Sequence, residues 1–236
     1  MPNEQLDYQL AHLEAEIVLL GGLVETAIFK SVRALKNRDL DMSREVIAED
    51  DRIDELETKI QNDCVEQIRR QAPLAVDLRR IVGMMFIANE LERMGDYAEG
   101  ISKVSINMGH EAPLKELEDI PKMADLAVSM MKRSIEAMTI DDRAESGRIA
   151  IEIENDDDEV DRLYEKVQKD IFALVEDDRE RAVRGTYLMW AAHNIERVAD
   201  RATNIAERAI FMSTGVIVGG NAEAQAAVSG EPSTVS

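Results

Sequence analysis

The chain has 236 residues, 48 of them acidic and 28 basic, for a formal net charge of −20. That charge excludes nucleic-acid phosphate and anionic lipid as general partners, since both are repelled, and leaves cations and basic protein surfaces. Aromatic residues make up only 4% of the chain, prolines number five, and Ala, Leu, Ile, Val and Met are plentiful; this balance predicts an all-α protein packed by aliphatic side chains.

From about Leu6 to Lys36 the apolar positions Leu10, Leu13, Ile17, Leu20, Val24, Ile28, Val32 and Leu35 step by three and four, the pattern of a long amphipathic helix. Gly21 and Gly22 weaken it by about 1 kcal/mol each relative to Ala, so they are expected to admit a neighbouring helix rather than to break this one. After a turn at Asn37–Asp41, with Asp39 or Asp41 as cap, a second helix is expected to run to Arg70 with Val46, Ile53, Leu56, Ile60, Val65 and Ile68 inward. Pro73 suits the first turn of a third helix, which reaches about Asn107 with the seam Leu74, Leu78, Ile81, Met84 or Met85, Ala88, Leu91, Ala98 and Ile101.

Gly109–Pro113 breaks the apolar rhythm and divides the chain into residues 1–109 and 110–215. The second part repeats the plan: a fourth helix opened by Pro121, a fifth from about Ala144 to Val175, a turn at 176–178, and a sixth ending near Thr214 with Leu188, Ala191, Ile195, Val198, Ala202, Ile205 and Ala209 as its seam. Trp190 is expected to be a packing anchor. Residues 216–236 are small and polar, the composition of a disordered tail. The fold expected is two tandem, sequence-related three-helix bundles.

No apolar stretch approaches the roughly twenty residues of a bilayer crossing. The acidic N-terminus lacks the plan of an export signal, and a lone Cys64 fits a reducing compartment; the chain is expected in the cytoplasm, with Cys64 as core filling.

The stretch Ala88-Asn89-Glu90-Leu91-Glu92-Arg93-Met94-Gly95-Asp96-Tyr97-Ala98 returns as Ala192-His193-Asn194-Ile195-Glu196-Arg197-Val198-Ala199-Asp200-Arg201-Ala202. Glu92 and Asp96 lie one helical turn apart on one face, as do Glu196 and Asp200. At this acid content about ten such pairs arise by chance, but each motif has a second pair upstream, Asp50 with Asp54 and Asp157 with Asp161. Asp157 follows Asp50 by 107 residues and Glu196 follows Glu92 by 104, so the halves stay nearly in register. If the helices of one half lie side by side, four carboxylates ring a site suited to hard or borderline cations such as Mg, Mn or Fe. The competing reading is ordinary surface ion pairing with Arg52, Arg93, Arg162 and Arg197. His193, three residues before Glu196, is a candidate nitrogen ligand or a hydrogen-bonded bystander. No Glu is followed by His three residues on, which argues against a ferritin-like di-iron oxidase, and there is no phosphate-cradling glycine loop or Cys pair.

The acidic repeats, together with Arg70-Gln71-Ala72-Pro73-Leu74-Ala75-Val76-Asp77-Leu78-Arg79 and Arg201-Ala202-Thr203-Asn204-Ile205-Ala206-Glu207, closely resemble the PhoU family of phosphate-transport regulators from about Leu6 to Gly215. The resemblance implies a cytoplasmic, often dimeric protein that regulates rather than catalyses. It implies metal, iron among others such as manganese, magnesium or zinc, at Asp50, Asp54, Glu92, Asp96, Asp157, Asp161, Glu196 and Asp200. It further implies contact with the ATPase subunit of the phosphate-specific ABC transporter and with the phosphate sensor histidine kinase, holding uptake and the starvation response down when phosphate is plentiful. Gly100 stands where the second copy has Asn204, which on the family pattern leaves the first site with less support. The alternatives are a metal-dependent phosphohydrolase or oxidase and a purely structural helical protein.

Overall fold

A computed structural model of the chain describes residues 4–111, 114, 116–140, 142–175 and 179–219. Among the described residues seven helices follow in order: α1 (Glu4–Asn37), α2 (Leu40–Glu49), α3 (Asp51–Gln71), α4 (Ala75–Met108), α5 (Asp119–Met138), α6 (Arg143–Leu174) and α7 (Arg179–Thr214). There is no strand among the described residues. α1, α2–α3 and α4 pack as one three-helix bundle and α5, α6 and α7 as a second, the architecture the repeat predicts.

The eight seam residues of α1 are all buried, each contributing about 1.5–3 kcal/mol of apolar burial before entropy is counted. Asp39 caps α2 by accepting from the Met42 amide at 2.9 Å, and Asp142 caps α6 by accepting from the Ala144 amide at 2.9 Å; each satisfies a donor that the first turn leaves without an intrahelical partner. Gly21 meets α5 closely: a Cβ there would lie 2.5 Å from Ile135 Cδ1, while Gly22 faces open space.

The structure differs from the sequence expectation at the second helix, which is interrupted at Asp50 although Asp50 keeps helical torsions (φ −62°, ψ −39°). In the second bundle the corresponding helix α6 runs unbroken. Pro73 precedes the third helix instead of opening it. α3 ends with Ala72 in the left-handed region (φ 44°), and Ala75 at φ 47° turns the chain again, so Leu74 falls outside the helical seam and is 81% exposed. Leu78 and Val65 are also exposed, and Trp190 is 53% exposed, resting edge-on against Tyr187 rather than anchoring the core. Val218 is buried beyond the end of α7, between exposed neighbours; residues 220–236 of the expected tail and the turn at 176–178 lie outside the described residues.

The bundles meet along α4 and α7, which run antiparallel. Glu90 faces Asn204, Tyr97 faces Arg197 and Gly100 faces Asn194, a single register over two helices of about 50 Å. The duplication extends to the buried polar groups. Ser31 and Ser134 each donate to a carbonyl three residues back at 2.8 Å. Buried Glu16 pairs with Lys59, and buried Asp119 pairs with Lys166.

Candidate functional site

The first acidic cluster lies where the α2–α3 junction at Asp50 meets α4. α3 comes so near α4 that a Cβ on Gly95 would sit 3.0 Å from Ile53 Cδ1 and 3.3 Å from Asp50 Oδ1. Glycine removes that obstacle, and Asp50 is carried to the α4 surface beside Asp96 and Glu99. These three present one carboxylate oxygen each within 4.8 Å of one another. Asp54 and Glu92 belong to the same acidic face, and Asp54 is the charge that acts most on both Asp50 and Asp96.

Burial, followed by repulsion from Asp54, Glu99 and Asp96, pushes the Asp50 carboxyl up to about 6. Burial and then Asp96, Asp54, Glu57 and Asp50 push Glu92 up to about 7. Asp96 is raised by burial, Asp54 and Glu99. Each of these groups holds its proton to higher pH than an ordinary carboxyl does, as expected where carboxylates are gathered without a cation.

The second cluster joins Asp157 and Asp161 of α6 to Glu196 and Asp200 of α7. Asp157 is pushed up to about 7 by burial, then by Asp161, Asp200 and Glu196. Asp161 is raised by burial and Asp200, and Glu196 by burial and Asp200 against the lowering effect of His193. These four do not draw together to the spacing reached by Asp50, Asp96 and Glu99. Glu196 Oε2 is buried with no hydrogen bond of acceptable geometry, 3.1 Å from His193 Nδ1. His193 is half exposed and lies against Tyr164, ring centroids 5.9 Å apart.

Basic side chains offset these clusters only in part: Lys103 pairs with Glu99, and Arg93 and Arg197 act on Asp96 and Glu196 without an ion pair to either. Arg162 pairs with Glu159, and Arg197 donates through Nε to Tyr97 Oη at 3.0 Å with its guanidinium over the same ring. An all-oxygen carboxylate set on the first face, carboxyls with raised proton affinity, and an orphaned buried Glu196 oxygen on the second fit a hard or borderline cation. Bound there, a metal ion would add positive charge beyond that of Lys103, which pairs with Glu99 at the edge of the first cluster.

Two acids were missed from sequence. Glu99 continues the Glu92, Asp96 face by another turn, and the buried Glu57 continues Asp50 and Asp54. Requiring both copies to agree hid them, because the equivalent positions hold Thr203 and Tyr164. Asn204 is a correction: its side chain donates to Glu90 Oε2 at 3.1 Å in the α4–α7 interface. Gly100 opposite Asn194 is therefore a packing position, and the Gly100/Asn204 difference does not bear on support for the acidic clusters. Cys64 is buried with its thiol pushed up to about 12, as core filling requires.

The family model for the PhoU domain matches this chain twice, over residues 17–105 and 120–209, one match per bundle. The chain belongs to the PhoU domain family. It is 34% identical over 210 residues to the phosphate-specific transport system accessory protein PhoU homolog of Rhizobium meliloti, covering 89% of this chain and 87% of that one. The Aquifex aeolicus protein of the same description is 35% identical, covering 89% and 93%. The crystal structure of the phosphate transport system regulatory protein PhoU from Streptococcus pneumoniae superposes with a TM-score of 0.81 at 28% identity, covering 91% of this chain and 99% of that one. PhoU from Pseudomonas aeruginosa also gives 0.81, at 26% identity, covering 89% and 99%. Each PhoU match spans one bundle, and the two ranges include the acidic motifs on α4 and α7.

Proposed function

We propose that this chain is a PhoU-type regulator that couples the phosphate-specific ABC transporter to the phosphate sensor kinase in the cytoplasm, restraining uptake and the starvation response when phosphate is plentiful. The observation that carries the reading is the pair of PhoU domain matches, one per bundle, in a chain whose relatives are named accessory proteins of phosphate-specific transport. It acts by contact rather than turnover, as a homodimer, and no helix among the described residues is long and apolar enough to cross a membrane. Metal, iron first among the candidates, binds at Asp50, Asp54, Glu92, Asp96 and Glu99 and at Asp157, Asp161, Glu196 and Asp200, and shapes the acidic face presented to partners.

Purified full-length protein, loaded with iron or manganese, is expected to bind the transporter's ATPase subunit or the kinase's cytoplasmic portion, and deletion of the gene to raise phosphate-responsive transcription in phosphate-rich medium. If neither partner binds and transcription is unchanged, the regulatory reading is wrong.

A further inference from the structure

Where α1 gives way to α2, the chain places an arginine at a position that usually takes glycine or asparagine. Arg38 follows the last residue of α1 with φ at 58°, in the left-handed region that costs a residue with a side chain about 1–2 kcal/mol. The guanidinium it carries is half-buried and poorly satisfied. Nε is buried without a hydrogen bond, and Nη1 donates to Met108 Sδ at 3.4 Å, a weak acceptor. Arg80, Arg133 and Arg201, partly buried as well, hold the carboxylates of Glu14, Asp156 and Glu90. Arg38 makes no ion pair among the described residues.

What stands beside it is a second guanidinium. Burial and then the charge of Arg184 pull the proton affinity of Arg38 below its ordinary value, against Glu111. Arg184 lies on the second turn of α7 and is 22% exposed. With Asn107, Met108, Glu111, Glu180 and Tyr187 it lines an open cavity of about 450 Å³ where α4 stops and α7 begins, and Arg38 borders that cavity through its contact with Met108. Glu111 Oε2 is 3.5 Å from Arg184 Nε, but that carboxylate is 57% exposed, and Glu180 is exposed too. An exposed carboxylate keeps its water and offsets a partly buried cation weakly. Two like charges are thus gathered, with little to neutralise them, in a molecule whose net charge is −20.

We propose that Arg38 and Arg184 form an oxyanion site, at which a free tetrahedral dianion of the phosphate class enters the cavity between α4 and α7 and is held by both guanidinium groups. Each guanidinium presents a planar fork of N–H donors that matches such oxygens two at a time. Asn107 and Tyr187 line the same cavity and add neutral donors. The ion replaces the Met108 sulfur as the acceptor for Arg38 and competes with Glu111 for Arg184. Nucleic acid and lipid headgroups bring many negative charges at once to a surface that repels them, whereas a small ion meets chiefly the local field of the two arginines. In the regulatory role proposed for this chain the site supplies a response of its own to phosphate, a consequence that rests on that role while the binding does not. Binding is read on the chain alone, so its failure leaves the test of partner binding untouched.

Calorimetry with inorganic phosphate at constant ionic strength tests the proposal, on the full chain stripped of metal so that no ion at the acidic clusters takes phosphate up. Wild type is expected to bind one equivalent saturably at millimolar phosphate and to melt higher in its presence, with sulfate competing and chloride not. Arg38→Asn and Arg184→Gln should each weaken binding by at least about tenfold. Asparagine suits the left-handed position, so Arg38→Asn is expected to keep or raise the phosphate-free melting temperature, and binding lost there is not fold lost. Glu111→Gln should tighten binding, the opposite of what a merely structural ion pair with Arg184 predicts. Absence of saturable binding, an affinity unchanged in either arginine variant, weaker binding in Glu111→Gln, or adenosine diphosphate binding more tightly than phosphate through the same arginines would each overturn it.

Discussion

Lys166 of α6 donates to both carboxylate oxygens of Asp119 at 3.0 Å, and Lys59 of α3 holds the equivalent place over Glu16 in the first bundle. The Asp119 side chain is only 5% exposed and the lysine 55%, so the acid end is desolvated while the amine stays wet. Lys166→Ala is expected to lower the urea midpoint, with Lys122, 3.6 Å from Asp119 Oδ1, limiting the loss. A Lys166→Ala, Asp119→Asn double-mutant cycle should return a coupling of the same sign and similar size; additivity would show that the pair is ornamental.

The raised carboxyls predict a pH dependence. Asp50 at about 6 and Glu92 and Asp157 at about 7 bind protons more tightly in the folded chain than in the unfolded chain, where they titrate near 4. Their contribution to stability is complete below about pH 4 and is lost as pH rises through about 6 to 7. Metal-free protein should therefore lose more thermal stability between pH 5 and 7.5 than the Glu92→Gln, Asp157→Asn variant does. Parallel melting curves for the two proteins across that interval would contradict the assignment.

The fold was legible because it is carried by periodicity: the seams of α1 and α7 place every expected residue inside. What sequence pattern could not show is where a helix is interrupted without a proline or glycine at the interruption. Asp50 is such a place; it lies against α4 at Gly95, about forty-five residues away in sequence. Leu74, Leu78 and Val65 were misplaced for a related reason. Apolar spacing assigns a face to a helix but does not say where that helix begins or whether a neighbour reaches its end. The acid quartets were legible from duplication, whereas Glu57 and Glu99 were hidden by the same criterion. Cross-bundle contacts such as Arg197 with Tyr97 had no signal in one sequence, since nothing local fixes the register of α4 on α7.

Adjacent glycines in α1 should respond oppositely. Gly22→Ala is expected to stabilise the folded protein by up to about 1 kcal/mol, since its Cβ enters open space and the helix gains propensity. Gly21→Leu must displace Ile135, whose Cδ1 would lie 2.5 Å from the new Cβ, and overpacking of this kind costs about 1–3 kcal/mol. Urea midpoints that move in the same direction for both would mean that α1 and α5 are not held at this separation.

The two clusters differ in donors, and that difference can be read in metal content. The first offers carboxylates alone, with Asp50, Asp96 and Glu99 already within 4.8 Å; the second adds His193 beside an orphaned Glu196 oxygen. Protein purified without chelator or metal-affinity resin is expected to carry iron, manganese or zinc near or above one equivalent, lost when Glu92, Asp96, Glu196 and Asp200 are neutralised together. Asp96→Asn with Glu99→Gln should empty the first cluster and leave the second, while His193→Ala should shift the second away from zinc, which favours nitrogen more than magnesium does. Gly95→Val should lower metal content at the first cluster without removing any carboxylate, because its side chain pushes Ile53 and Asp50 off α4. Metal retained in the fourfold variant would place the ions elsewhere and reduce both clusters to acidic docking surface.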